Sequence, residues 1–412
     1  MASETPMMDE LEKGPWPSFV TQLKRAAKSK AKLSAAAADL LRSQEQCFKE
    51  KQGLWKHGGI VGVKGYGGGV IGRYHQRPQD FPHLEHFHTM RVNHPCGWFY
   101  TTKKLREICD IWDRHGCGLT NFHGSTGDII FLGTVTDELQ PTFDDLSDHG
   151  WDLGGSGSAL RTPTGCVGPA RCEWACFDTL DFIHDVTNTY QNQLHRPPFP
   201  YKTKIKASGC PNDCVAAIAR SDVSIIGTWR DELRINQAAV KEKINSGFDV
   251  KRFVVDYCPT NALELVNDQL KLARPEDCVR CMHCINMMPK AIRPGVKTGA
   301  TILVGAKAPV IHGAVLSTVI IPFMEMKPPY TEFKEFWEKA MDWWDENGRV
   351  RERLSELIDR VGMAEFLKAM DLPAVPQMVK VPRANPYIFW RHEDPPKIED
   401  IRNWDIMKRK SK

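Results

Sequence analysis

No stretch of this chain is apolar for long enough to cross a bilayer. The most apolar window, Ala308 to Phe323, is broken by His312, Gly313, Ser317 and Thr318 and falls short of the roughly 20 residues a spanning helix needs. A buried strand is the expectation there. The opening segment, Met1 to Gly14, has no apolar core of the kind a secretory signal carries and holds Glu4, Asp9, Glu10 and Glu12 instead, which points to the cytoplasm. Net charge is small too. Fifty-five Lys and Arg against fifty-one Asp and Glu leave +4 on 412 residues, too little to imply a nucleic-acid or membrane-surface partner, so functional charge has to be local. Thirteen cysteines fall far below the density of a secreted disulfide scaffold, and an odd number cannot all pair within one chain. Thiolate chemistry is the better expectation. What remains is ordinary globular composition, 42% hydrophobic and 26% charged, in a chain long enough for about two or three domains.

Between Ser18 and Lys51, Leu23, Ala26, Ala27, Leu33, Ala37, Leu40 and Leu41 recur at helical spacing and predict one or two helices. Val61 to Arg73 holds six glycines in thirteen residues, so its backbone can approach a bulky ligand or turn through positive φ; a flexible surface loop is the alternative. Thr101 or Thr102 then caps a helix with Leu105, Ile108, Cys109 and Trp112 on one face, ending near Gly116, followed by strands over Gly118–Phe122 and Asp128–Val135. Far downstream the pattern returns. Val310 to Phe323 reads as strand, Glu332 to Asn347 as a helix with Phe333, Phe336, Trp337, Met341 and Trp344 on one stripe, and Val350, Leu354, Leu357, Ile358 and Val361 as a further amphipathic helix. Two α/β units therefore bracket a cysteine-rich middle.

Eight of the cysteines fall into two groups of four. The first is Cys166-x5-Cys172 with Cys210-x3-Cys214, in TPTGCVGPARC and SGCPNDC. Four thiolates from two turns suit a cubane iron–sulfur cluster, in which each iron takes one thiolate. Gly165 and Gly209 allow tight turns before the ligands, Pro169 and Pro211 stiffen the loops, and a helix starting near Pro211 would favour the cluster's negative charge. Zinc is the rival, although its structural sites favour shorter spacing in both halves, and unliganded packing is the third reading. Cys176, one helical turn after Cys172, is read as a neighbour. Cys47, Cys96, Cys109 and Cys117 are expected to pack in the interior.

The second group is more specific. Cys278-x2-Cys281-x2-Cys284 followed by Met288-Pro289 reproduces the bacterial ferredoxin run, with Met where the fourth Cys belongs. That fourth Cys serves the other cluster of a two-cluster ferredoxin, so its loss leaves this one intact. The remote ligand comes from a second Cys-Pro, Cys258-Pro259. The partner cluster would need Cys at four positions held here by Phe248, Lys251, Val254 and Met288, and is therefore absent. The reading divides the chain into a helical segment over 1–58, an α/β unit over 59–165, a cluster-binding region over 166–244, a ferredoxin-like module over 245–296, a second α/β unit over 297–371 and a Pro-rich, charged extension over 372–412, suited to wrapping over a surface or partner.

Cations gather near the first group. Arg161 lies five residues before Cys166 and Arg171 immediately before Cys172, and Lys202, Lys204 and Lys206 alternate in PYKTKIKASGC, pointing to one face if extended. At an effective dielectric of about 20, like charges about 4 Å apart cost about 4 kcal/mol per pair, so an anion or solvent has to intervene. An anion pocket and a solvated basic strand are the two readings; Arg91 is a further candidate.

The C-x5-C and C-x3-C pattern, joined to the inserted ferredoxin-like module, resembles the sulfite and nitrite reductases that couple sirohaem to an iron–sulfur cluster, and among them the dissimilatory alpha subunits, from roughly Gly59 to Ala369. The resemblance implies an α+β fold of pseudo-duplicated sulfite reductase-like α/β units with an inserted ferredoxin-like domain. It implies sirohaem and two [4Fe-4S] clusters per chain, one on Cys166, Cys172, Cys210 and Cys214, with Cys214 bridging to the sirohaem iron, and one on Cys258, Cys278, Cys281 and Cys284. Arg91, Arg161, Lys202 and Lys204 match the family's catalytic cations around sulfite. Arg73 and the glycine-rich loop, His123 to Thr126 and Arg171 are weaker candidates for holding the macrocycle's carboxylates. The implied partners are a homologous beta subunit in an α2β2 heterotetramer and a small sulfur-carrier protein with C-terminal cysteines. An assimilatory sulfite or nitrite reductase and a non-catalytic electron-transfer subunit are the rival functions.

Overall fold

The computed structural model describes residues 3–14, 19–59, 61–93, 99–310, 313–375 and 378. Two five-stranded sheets form its frame, giving the expected α+β fold. In the first, the strands Val70–Ile71, His88–Asn93, Ile129–Thr134 and Leu119–Phe122 lie in that order, and Asp152–Leu153 also pairs with His88–Asn93. The helix Thr102–His115 forms where the sequence predicts it. Thr101 Oγ1 accepts the Lys104 N–H at 3.2 Å, and the helix stops at Gly116, where a Cβ would meet the Trp112 ring at 2.4 Å. Its Ile108, Ile111 and Trp112 pack on Met90, Val92 and Phe131 of the sheet, with Trp112 stacked on Phe131 at 4.4 Å. Each such buried side chain contributes about 1.5–3 kcal/mol. Cys109 is exposed, contrary to expectation, because it falls beside this stripe, among the charged residues. Cys117 is buried, its thiol donating to the Leu132 carbonyl at 2.8 Å; Cys47 is half-buried, and Cys96 lies outside the described residues.

The second sheet runs Thr318–Met324, Thr298–Val304, Val223–Trp229, Ile205–Ser208 and Thr164–Gly165. Val223–Trp229 and Thr298–Val304 pair antiparallel from Val223↔Val304 to Trp229↔Thr298, so the chain leaves the sheet after Trp229, builds the ferredoxin-like module and returns beside its point of departure. The stretches read separately as 166–244 and 297–371 thus share one sheet. Helices Thr179–Thr189, Thr331–Asn347 and Leu354–Val361 bury Phe182, Ile183, Phe333, Trp337, Trp344 and Leu357 in the core of this half. Val350 is not on the last helix; it is 90% exposed. The apolar window read as one strand is a hairpin, Lys307–Val310 with Gly313–Val315, before Thr318–Met324, and residues 311–312 lie outside the described set.

The N-terminal segment holds Phe19–Ala26 and Ser34–Glu50 as expected, and also Pro6–Glu12, which buries Met8. The glycine-rich segment turns through positive φ, as one reading expected, and its backbone is anchored to the second half of the molecule. Gly67 and Gly68 each donate to the His195 carbonyl at 2.8 Å, Gly65 and Gly69 have positive φ, and a Cβ on Gly68 would sit 2.9 Å from the Leu194 carbonyl oxygen. In the module, Val254 and Met288 fill the core with Val240, Leu263, Leu270 and Ile285, so apolar packing occupies positions where a second ferredoxin cluster would need thiols. Its strand Ile292–Arg293 pairs with Arg234–Ile235, upstream of the expected 245 boundary. The expected wrapping of 372–412 falls outside the described residues except for Leu372–Val375 and Met378. Among the described residues, no helix is long and apolar enough to cross a membrane.

Candidate functional site

Cys166 follows the strand Thr164–Gly165, Cys172 follows a single turn at Gly168–Ala170, and Cys210 and Cys214 lie in the loop leaving Ile205–Ser208. The four thiols line one cavity of about 250 Å³ with Gly165, Ala175, Ser208 and Gly209. The glycines serve close packing rather than tight turns: neither Gly165 nor Gly209 has positive φ. A Cβ on Gly165 would lie 2.0 Å from Ile183 Cδ1, and the Gly209 N–H donates to Cys166 Sγ at 3.1 Å. The helix expected at Pro211 begins only at Ala217, after the last thiol. Its first amides, Ala217 and Ile218, are taken by the Asp213 carboxylate at 2.8 and 3.0 Å, so they cap the helix instead of facing the cavity. Cys176 is a neighbour outside the cavity lining: its N–H donates to the Gly209 carbonyl at 2.6 Å, its thiol turns to the Trp174 carbonyl at 3.6 Å, and burial, then Cys210 and Cys172, raise it.

Burial, with help from neighbouring thiols, pushes Cys210 up to about 11 and raises Cys214. Four ionised sulfurs here would be costly without cations between them. Among the described residues no three His, Cys, Asp or Glu side chains close on a point as a single-ion site requires. Four sulfurs around a wider space fit a multi-iron cluster. Cys214 is the exposed member of the set, and Cys210 the most deeply buried.

The second group lines its own pocket with Pro259, Val279, Arg280 and Met282, the loop being turned by positive φ at Arg280 and Met282. The Ala262 N–H donates to Cys258 Sγ at 3.2 Å, and burial pushes Cys284 up to about 12. The two cysteine loops touch. Asn286 Nδ2, two residues past Cys284, donates to Asn212 Oδ1, between Cys210 and Cys214, at 2.9 Å. Arg293 lies over the Trp174 ring at 4.3 Å, and Cys176 is buried in the module's core.

The cations gather between the two sheets. Arg91 is 5% exposed; its Nε donates to Asp128 Oδ2 at 3.0 Å and its Nη2 to Thr126 Oγ1 at 2.7 Å. Asp128 is fully buried, also accepts from the Thr126 and Thr162 hydroxyls, and is held below the usual carboxylate range by Arg91 and these donors against the cost of burial. Arg161 donates to the carbonyls of Ala159 and Gly157 at 3.1 and 2.9 Å, and burial beside Arg91 lowers it to about 9. Lys204 Nζ donates to Ser125 Oγ at 2.7 Å, and burial, then Arg353, lowers it to about 7. Lys202 lies over the Tyr201 ring at 5.1 Å and is also lowered by burial. Lys206 is nearly inaccessible and donates to the Val215 carbonyl at 3.1 Å, which ties it to the cluster loop instead of an anion space. His123, bonded to Thr126, is lowered to about 4 by burial and by Arg91, Lys204 and Arg161.

Arg73 donates to Thr89 Oγ1 at 3.1 Å and covers the Trp55 ring at 4.2 Å, and His57 is lowered by burial and then by the nearby Arg73. Arg171 is exposed beside Cys172. Sequence reasoning missed Asp128, Asp222, Arg353 and Ser125. The two aspartates pair with arginines 37 and 131 positions away, which no local pattern discloses; Ser125 lay inside the His123–Thr126 string without a distinct signal.

Two sheet-based halves with a thiol-lined cavity, a buried cation cluster and a second thiol loop in contact define an iron–sulfur oxidoreductase that acts on a small anion. Residues 156–376 match the nitrite and sulphite reductase 4Fe-4S domain, and residues 82–149 the nitrite/sulfite reductase ferredoxin-like half domain. The chain is 48% identical to the dissimilatory-type sulfite reductase alpha subunit of Nitratidesulfovibrio vulgaris (95% of each chain) and 44% identical to that of Allochromatium vinosum (93% of each). It is 25% identical over 297 residues to a beta subunit from Archaeoglobus fulgidus. The crystal structure of dissimilatory sulfite reductase I superposes with a TM-score of 0.87 at 47% identity, covering 97% of this chain and 99% of that one. The chain belongs to the dissimilatory-type sulfite reductase alpha subunits.

Proposed function

We propose that this sulfite reductase subunit holds sulfite among Arg91, Arg161, Lys202 and Lys204 beside a sirohaem. Cys166, Cys172, Cys210 and Cys214 carry the coupled [4Fe-4S] cluster, and Cys258, Cys278, Cys281 and Cys284 a second one that collects electrons from outside. The observation that carries this reading is the direct contact of the two cysteine loops through Asn286 and Asn212, which brings an electron entry module against the cavity next to the cation cluster. Cys214, exposed where its three companions are more covered, is the thiolate suited to bridging cluster and macrocycle. Bound there, sirohaem would supply the iron redox chemistry that reduces the substrate sulfur, with Cys214 the residue on its side of the cluster.

The chain's own side chains do the rest. Arg91, aligned by Asp128, and Arg161, aligned by two backbone carbonyls, offer fixed planar donors to an oxyanion. Each sulfite oxygen lost as water takes up protons, and Lys204, lowered to about 7, releases one near neutrality where an ordinary lysine would keep it. Arg73 and the exposed Arg171 serve the macrocycle's carboxylates. A homologous beta subunit completes a cytoplasmic α2β2 assembly, served by a small carrier protein with C-terminal cysteines. The same groups serve reduction of sulfite or its reverse.

The test is an absorption spectrum with iron and acid-labile sulfide analysis of the anaerobically purified complex, subunits separated. A sirohaem band and about eight cluster irons in this chain are expected. Four or fewer would remove one thiol group from the assignment, and colourless, iron-free material would overturn it.

A further inference from the structure

Asp222 lies just before the strand Val223–Trp229, wholly buried, and takes a forked ion pair from Arg353: Nε to Oδ1 at 2.9 Å and Nη2 to Oδ2 at 2.6 Å. Its Oδ2 also accepts the backbone N–H of Lys204 at 2.9 Å. Arg353 is fixed in turn as the residue capping the helix Leu354–Val361, with its own N–H on Glu356 Oε2 at 2.8 Å, while Glu356 Oε1 accepts from Lys307 at 2.6 Å. The C-terminal helical layer is thereby locked to the start of the lysine segment. The Lys204 ammonium is treated differently from the Lys204 backbone. It reaches Ser125 Oγ, and among the described residues no carboxylate lies within ion-pairing distance of it. A buried carboxylate stands next to this lysine, yet its charge is matched by an arginine and its third hydrogen bond is taken from the peptide N–H.

We infer that Asp222 and Arg353 are positioning residues for Lys204, holding its backbone by the buried fork while leaving its ammonium without a counter-ion, so that it can give a proton to a bound oxyanion. The inference rests on the reading of Lys204 as a proton donor. The charged groups facing Lys204 are Arg353 from the C-terminal helix, Asp222 ahead of the neighbouring strand, Lys202 and Lys206 on its own segment, and His123 from the loop that carries Ser125. Of these, Arg353 is the strongest source of repulsion and Asp222 the source of attraction. Removing one or the other therefore moves Lys204 in opposite directions, which a merely structural pair would not do.

The experiment measures competitive acetylation of Lys204 by trace acetic anhydride between about pH 5 and 10 in the holoenzyme complex, alongside the pH profile of sulfite turnover. With Arg353→Gln the reactivity midpoint rises by about one pH unit or more, and reactivity near neutrality falls about tenfold. With Asp222→Asn the midpoint falls. With Arg353→Lys, which keeps the charge and loses the fork, the midpoint stays near that of the parent while sulfite turnover falls about tenfold, because the Lys204 backbone is no longer held; turnover equal to the parent's overturns the positioning role. The alkaline limb of turnover, where the protonated lysine is lost, moves with the midpoint in each case. If Arg353→Gln does not retain its iron, Asp222→Asn and Arg353→Lys still decide the matter. Midpoints that do not move, or that move the same way in the Asn and Gln variants, overturn the inference whatever happens to turnover. A midpoint that shifts while the turnover profile stays put removes Lys204 as proton donor and leaves the positioning pair standing.

Discussion

The Lys204 ammonium, carried by the second sheet's half of the molecule, donates to the hydroxyl of Ser125, in a loop of the first, across 79 positions of sequence. That bond crosses the place where the two halves meet, and Arg91, Arg161 and His123 all lie close enough to register electrostatically around it. The cation cluster is therefore a product of both sheets, and each half supplies a buried carboxylate, Asp128 or Asp222, to hold its own arginine.

Replacing Lys204 with Ala removes a proton donor without touching a thiol. Sulfite turnover of the complex should fall by about 10²-fold or more, in the range set by loss of a general acid, while iron content and acid-labile sulfide remain unchanged. Unaltered turnover would place Lys204 outside the reaction.

Asp128→Asn leaves Arg91 buried without its counter-charge. Both side chains are almost wholly inaccessible, so the loss should destabilise the chain by about 3–5 kcal/mol and weaken sulfite binding. Denaturant unfolding of the complex and a sulfite titration followed by absorbance check both; a midpoint equal to the parent's would show that Arg91 finds another partner.

His88 and His123 are both lowered from 6.5 to about 4, chiefly by burial. The folded state therefore favours their neutral forms. Their contribution is complete above about pH 6.5, the unfolded value, and is lost as pH falls from there through about 4. The Tm should drop over that window. His88→Asn, which has no proton to gain, should drop less steeply; parallel curves for the two proteins would mean that His88 is already charged when folded.

Gly227→Ala places a Cβ 2.0 Å from the carbonyl oxygen of Gly209, which is backbone and cannot swing aside. The loop between Cys210 and Cys214 should shift, with loss of about four irons per chain and retention of the module's cluster. Gly53→Ala, with nothing within 4 Å of the new Cβ, serves as the control and should keep the full complement. Full iron in the Gly227 variant would show that the loop tolerates displacement.

Much of the helical structure was open to reading because its causes are local. Thr101 and Gly116 bound a helix whose stripe includes Ile108 and Trp112, and the Phe333-to-Trp344 stripe marks another. Cys109 shows where that reading fails: one residue from the buried stripe, it turns outward, which a list of apolar positions does not resolve. Pro211 shows another failure. A proline suits the first turn of a helix, but the chain spends Cys210 to Ala216 on the thiol loop before Asp213 caps the helix at Ala217.

By itself the sequence determined the chemistry, because thiol spacing, the Cys-Pro and Met-Pro pairs and the alternating lysines are properties of neighbouring residues. It also showed that the four positions where a second ferredoxin cluster would need thiols carry Phe248, Lys251, Val254 and Met288 instead. Only the tertiary structure decided that the lysine segment faces Ser125, that Asp128 and Asp222 hold the arginines, and that the module's loop lies against Asn212. Those relations join positions 37 to 131 residues apart, and they follow from strand pairing and side-chain packing across the two sheets, which leave no periodic trace along the chain.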